Sequence, residues 1–219
     1  MLSTVFIKSS ELTQPQTLQA LLAQVPQEQP WVVMPYVNEE QAKTTAAILA
    51  SRAGERGVLV CVEDDARLGF IRVVNETFAI STCEYFTYLA QDAFPGRYWL
   101  ALALKSMKHS GKGLLAFNDG KWFGKLAAFG MVRRQWAVTN YGGELFYSDY
   151  NSHYADTELT LLAMENEQLD YNPNAVLVEI DYEKDRKPTS ASDKALFAKR
   201  KINGFDGRVL QAKMLNLFV

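Results

Sequence analysis

The chain has 219 residues, of which 48% are hydrophobic and 22% charged, a balance that fits one moderately large globular domain and excludes wholesale disorder, collagen and long coiled coil. Its 23 basic and 25 acidic residues leave a formal charge of −2, without the basic excess of a protein that binds nucleic acid over its whole surface. No apolar run approaches the roughly 18 to 20 residues of a membrane span, and the opening MLSTVFIKSSELTQ lacks the apolar core of a signal peptide, so the cytoplasm is the expected location.

In chain order, residues 2–7 (LSTVFI) read as a short strand and 17–24 as a short helix, before Pro26 and Pro30 interrupt the pattern. The apolar run 31–34, closed by Pro35, predicts a buried strand. Asn38 and two acids then open a helix over 38–52, with Ala42, Ala46, Leu49 and Ala53 at helical spacing and Gly54 and Gly57 as stops. Residues 58–62 (VLVCV) predict a second continuous apolar strand, ending in Glu63, Asp64 and Asp65. Strand, helix, strand implies a parallel sheet. Further strands are expected at 86–90, 114–117 and 176–180, helices at 97–109 and 156–166, and a tight turn at Asn118, Asp119 and Gly120. The two cysteines, Cys61 and Cys83, lie on apolar segments without metal-ligand spacing and read as small core residues. The fold class expected is α/β, a mostly parallel central sheet flanked by helices.

In open α/β sheets, ligands bind outside the carboxyl ends of the strands. Three polar segments fall there: 35–39 (PYVNE), 63–65 (EDD) and 89–95 (LAQDAFP). With their flanking stretches and the half of the chain after them, they resemble the inverting glycosyltransferases of family 2, which have the GT-A nucleotide-sugar fold. VVMPYVNEEQ is similar to that family's opening strand and Pro-x-x-Asn-Glu turn, and VLVCVEDD to its second strand ending in acids. RVVNETFAISTCEYFTYLAQDAFPGRYWL resembles the run through an Arg and an Asn to the DxD signature and a proline, here Arg72, Asn75, Glu84, Tyr85, Gln91, Asp92 and Pro95. GMVRRQWAVTNYGGELFYSDYNSHYADTELTLLAMENEQLDYNPNAVLVE is similar to the acceptor half.

The resemblance implies a donor site formed by Pro35, Tyr36, Asn38, Glu39, Asp64, Arg72, Asn75, Gln91 and Asp92. The Tyr36 ring would stack on a base, and the Asp64 carboxylate would accept the imide N–H of uracil, which favours a UDP-sugar donor. It implies Mn2+ or Mg2+ at the diphosphate, with Asp92 as a candidate metal ligand; Ala90 and Gln91 depart from the acidic pattern, and a neutral Gln lends a cation less charge. His153, three residues before Asp156, is by its spacing a further candidate metal or diphosphate contact, the alternative being a structural histidine. Glu158, Trp136 and Arg134 are expected on the acceptor side, with Trp122, Tyr141 and Phe146 as further faces for sugar rings. Attack by an acceptor hydroxyl on the anomeric carbon needs a carboxylate to take its proton, and Asp156 is the expected base. Read from the residues alone, Asp156 is as well suited to cap the helix that begins there. Asn caps equally well, so an Asp156→Asn substitution would then stop turnover without changing the thermal midpoint.

Between 184 and 213 lie nine basic residues and three acids, against 14 basic residues and 22 acids elsewhere. The expected organisation is a GT-A-like domain over 1–183 and a basic extension over 184–219. The extension would close over the diphosphate, contact an anionic membrane surface, or form a solvated helix capped by Ser192 or Asp193. Two other functional readings remain: a nucleotide-sugar-binding module that no longer catalyses, and a nucleotide-binding α/β protein of another class. No glycine-rich phosphate loop supports a kinase or ATPase.

Overall fold

The computed structural model describes residues 2–180 and 190–218. The expected boundary at 183/184 and the basic residues Lys184, Arg186 and Lys187 lie outside the described residues. Four parallel strands form one half of an eight-stranded sheet: β1 (Leu2–Lys8), β2 (Trp31–Tyr36), β3 (Gly57–Glu63) and β4 (Tyr85–Tyr88). The other half is β5 (Ala93–Pro95), β6 (Leu114–Asn118), β7 (Gly130–Arg133) and β8 (Leu169–Glu179), and the spatial order is β1-β3-β2-β4-β7-β6-β8-β5. β7 runs antiparallel to both β4 and β6, β6 and β8 are parallel, and β5 closes the far edge antiparallel to β8.

Alternation along the strands divides the core into two layers. Trp31 and Val33 of β2, Val58, Val60 and Val62 of β3, and Phe86 and Tyr88 of β4 face one side. There they meet α3 (Phe70–Ile80), α6 (Ala155–Glu165) and Phe197 of α7 (Ala191–Ile202). Val32, Met34, Leu59 and Cys61 face the other side, against α2 (Glu39–Arg52) and α4 (Trp99–Ser110). Burial on both faces is why β2 and β3 read as unbroken apolar runs. α1 (Pro15–Gln24) leads from β1 to β2, and α5 (Arg134–Ala137) is a single turn after β7.

The expected elements are present, with corrections. α3 occupies a stretch that the sequence reading treats only as part of a motif run, and β5 and β7 are too short to show a period. The last strand is twice the predicted length, because the polar-bearing stretch before Val176 is also strand: Leu169 to Tyr171 pair with Leu114 to Ala116 of β6, and the register shifts before Asn118 meets Val176. Cys61 and Cys83 are buried free thiols, and burial pushes the Cys61 thiol up to about 12. Among the described residues no helix is long and apolar enough to cross a membrane.

Candidate active site

The parallel strands all deliver their carboxyl ends to one edge of the molecule. Lys8, Glu63 and Tyr36 share a row there, and Tyr88 of β4 lies opposite Gly130 of β7. Pro35 is tolerated in β2 because the ladder to β4 ends at the Val33↔Tyr88 pair, so its missing N–H breaks no bond there. Asn38 caps α2 through a 3.0 Å bond from the Gln41 N–H, and exposed Glu39 pairs with Lys43 at 2.6 Å.

Several residues expected to meet the donor are engaged by the protein itself. Tyr36 is only 6% exposed, its ring meets Phe6 edge-on at 6.0 Å, and burial with the nearby Glu63 carboxylate pushes its hydroxyl up to about 12. The ring is therefore packed; Phe6, beside it on β1, is 42% exposed, a position that could be found only once β1 was known to pair with β3. Asp64 accepts the backbone N–H groups of Leu68 (2.7 Å) and Gly69 (2.9 Å) and the Ser9 hydroxyl, so it shapes the loop into α3. Asp65 binds Ser10 through both its N–H and its hydroxyl, which holds its carboxyl down at about 2. Asn75 is buried and clips the backbone of Phe146 in both directions at 2.9 Å. Arg72 is exposed and bonds Glu76 one turn on.

Gln91, in the place of a DxD acid, performs a structural task. Its Oε1 accepts the N–H groups of Val37 (2.8 Å) and Asn38 (3.1 Å), and its Nε2 donates to Gln41 at 2.7 Å. The amide thus fixes the turn between β2 and α2. A Gln91→Ala substitution is expected to cost about 1 kcal/mol of stability and to speed hydrogen exchange at Val37 and Asn38, read by amide exchange with mass spectrometry.

The residues expected on the acceptor side are spread over the fold. Arg134 and Trp136 sit at the opposite end of the sheet, since Arg133 pairs with Tyr85 at the amino end of β4. Arg134 donates to the carbonyls of Cys83 and Phe78 and to the Ser81 hydroxyl. Trp136 covers Gly113 and lines a cleft of about 230 Å³ at that far end. Glu158 has no exposure: Arg200 grips both its oxygens (2.7 and 2.8 Å), and the hydroxyls of Tyr141 and Tyr150 donate to it. Phe146 is buried, and Trp122 meets Phe218 edge-on. Asn118 and Asp119 form the predicted turn, accepting the N–H groups of Gly120, Lys121 and Trp122.

What remains at the carboxyl edge is an acidic centre around Asp156. It lies in the first turn of α6 but does not cap it: the cap position is Tyr154, at φ +69°, and the Asp156 carboxylate accepts from the N–H and the hydroxyl of its neighbour Thr157. Burial, aided by the charge of Glu179 on β8, raises the Asp156 carboxyl to about 6 despite the Thr157 bonds. The turn is tied to the sheet, because Thr160 donates to the Asp156 carbonyl and accepts the Ala127 N–H, while the Tyr88 hydroxyl donates to the Ala127 carbonyl. Asp92 is buried beside the end of β8, its carbonyl accepting the Ile180 N–H. His153 lies against Asp193, with Nδ1 3.8 Å from the carboxylate. Among the described residues no three His, Cys, Asp or Glu side chains form a metal cluster.

The basic extension is partly turned inward. Ser190, rather than Ser192 or Asp193, caps α7, and Arg208 donates to the Asn140 carbonyl and lies over the Tyr141 ring. Lys194, Lys199 and Lys213 remain exposed.

No protein-family model matches the sequence, and no curated protein matches it. Solved structures do match. The mannosyltransferase PcManGT from Pyrobaculum calidifontis, in complex with GDP-Man and Mn2+, superposes with a TM-score of 0.55 at 16% identity, over 79% of this chain and 61% of its own. The S. aureus protein TarS gives 0.59 at 12% identity, over 85% and 41%. Glucosyl-3-phosphoglycerate synthase from Mycobacterium tuberculosis, in complex with Mg2+ and UDP, gives 0.54 at 12% identity, over 90% and 84%. The chain has the GT-A fold. This GT-A domain spans about three fifths of the length of the mannosyltransferase and two fifths of TarS.

Proposed function

We propose that this GT-A-fold chain transfers a sugar from a nucleotide-diphosphate donor, a UDP-sugar in preference, to an acceptor hydroxyl with inversion, and that Asp156 is the general base. The observation that carries the reading is the Asp156 carboxyl at the carboxyl edge of the sheet, raised to about 6 by burial. At neutral pH such a group is ionised yet more basic than an ordinary carboxylate, the state that proton abstraction from an attacking hydroxyl requires. One displacement by that hydroxyl inverts the anomeric carbon, and the nucleoside diphosphate leaves with the bonding electrons. A divalent cation, Mn2+ in the mannosyltransferase and Mg2+ in the synthase, would offset charge on the leaving diphosphate, held here through Asp92.

A second reading, a nucleotide-sugar-binding module without turnover, is favoured by one observation: the Gln91 amide is committed to backbone and supplies nothing to a cation. In either case the exposed lysines of 190–213 are the groups proposed to meet phosphate or an anionic surface. Thermal-shift measurements with UDP-, GDP- and CDP-sugars, with and without Mn2+, separate these readings. A UDP-sugar is expected to raise the midpoint and to be hydrolysed slowly. A shift without hydrolysis would leave the binding module, and no shift with any donor would remove both.

A further inference from the structure

The turn that carries Asp156 is held from outside the sheet by one face of α7. Asp193, Phe197 and Arg200 stand at helical spacing, so their side chains share a stripe. Each engages a different part of segment 151–158. The Asp193 carboxylate, 1% exposed, accepts the backbone N–H groups of Asn151 (3.0 Å), Ser152 (3.0 Å) and His153 (2.9 Å). Phe197 stacks on Tyr154 at 4.9 Å and 25° between planes. Arg200 holds Glu158 through two hydrogen bonds and lies 3.4 Å from the Tyr147 ring centroid. Asp156 stands between these grips.

The arrangement is more than the end of a helix needs. Tyr154 adopts a left-handed backbone, which a bulky residue keeps only when its surroundings enforce it. That conformation turns the chain into α6 two residues before Asp156. We propose that Asp193 and Arg200 are positioning residues that fix the Asp156 carboxylate against the acceptor hydroxyl, with α7 acting as a splint for the catalytic turn. The inference rests on Asp156 being the base.

The test compares wild type with Asp193→Asn, which replaces an acceptor-only carboxylate by an amide whose NH2 end opposes one or more of the three N–H groups. Arg200→Lys keeps the charge but loses the bidentate grip, and serves as the second variant. Three readouts are taken on folded protein: UDP affinity by calorimetry, the rate of UDP-sugar hydrolysis at saturating donor, and the 13C titration of the Asp156 carboxyl. Among the described residues, the charge of Glu179 on β8 acts on Asp156, and burial together with the Asp156 charge holds the Tyr88 hydroxyl of β4 protonated; neither variant alters these groups.

Each variant is expected to bind UDP within twofold of wild type, to hydrolyse at least tenfold more slowly, and to titrate Asp156 at lower pH as water reaches a loosened turn. Unchanged hydrolysis and unchanged titration, with only a lower thermal midpoint, would overturn the inference and leave α7 a packing helix. If wild type hydrolyses no donor, the proposed function fails, but the Asp156 titration still decides whether α7 sets the environment of that carboxyl.

Discussion

Replacing Asp156 by Asn is expected to cut sugar transfer by 100-fold or more and, at neutral pH, to make the folded chain more stable. The first effect comes from removing the group that takes the acceptor proton, a contribution typically of about 10²–10⁴-fold. The second is a matter of linkage. The carboxyl has an ordinary value of 3.8 and is raised to about 6 in the fold, so between those values the native state binds more protons than the unfolded chain. Stability therefore falls as pH rises through this window, and above it the ionised group costs about 3 kcal/mol. Asn carries no such penalty. Scanning calorimetry should find the variant several degrees more stable than wild type at pH 8, with the two converging near pH 4. A difference independent of pH would show that Asp156 is not held in this environment, and activity above about a tenth of wild type would remove it as the base. Because Tyr154 rather than Asp156 occupies the cap position, an unchanged midpoint is no longer the expectation.

The second large effect lies at Arg200. An Arg200→Met substitution leaves the buried Glu158 carboxylate with the Tyr141 and Tyr150 hydroxyls and a longer, 3.6 Å ion pair to Arg208, and losing the bidentate partner of a buried charge in this way costs about 3 kcal/mol. In a chain of this length that lowers the thermal midpoint by about 10 °C. Glu158→Gln should cost less, since the amide keeps an acceptor for a tyrosine hydroxyl. The double variant should lose less than the sum of the two, with a coupling above about 1 kcal/mol in a denaturation cycle. Additive losses would mean that Arg200 acts through its contacts with the Tyr147 ring and the Asp206 carboxylate rather than through Glu158.

The framework is readable in the residues because its signals are local. Trp31 to Met34 and Val58 to Val62 are apolar without a break since both faces of those strands are covered, and Asn38 opens α2 as its side chain predicts. Other elements escape such a reading. The short strands Ala93–Pro95 and Gly130–Arg133 hold too few residues to show a period, and the helical apolar spacing of Phe70–Ile80 is masked by its place in a motif run.

Residue types at the edge are foreseeable, but their partners are not. Gln91, Asn75 and Glu158 are polar residues in suggestive places, and each is satisfied by a group 42 to 71 positions away or by neighbouring tyrosines. Arg134 lies at the far end of the sheet because β7 reverses direction. The sequence by itself determined the alternation of strands and helices, the parallel half of the sheet and the acids at its carboxyl edge, since propensity and apolar period act over a few residues. Only the tertiary structure decided which polar groups hold the protein together and which remain for chemistry. A buried hydrogen-bonding group must find a partner wherever the fold brings one, and that pairing has no local signature.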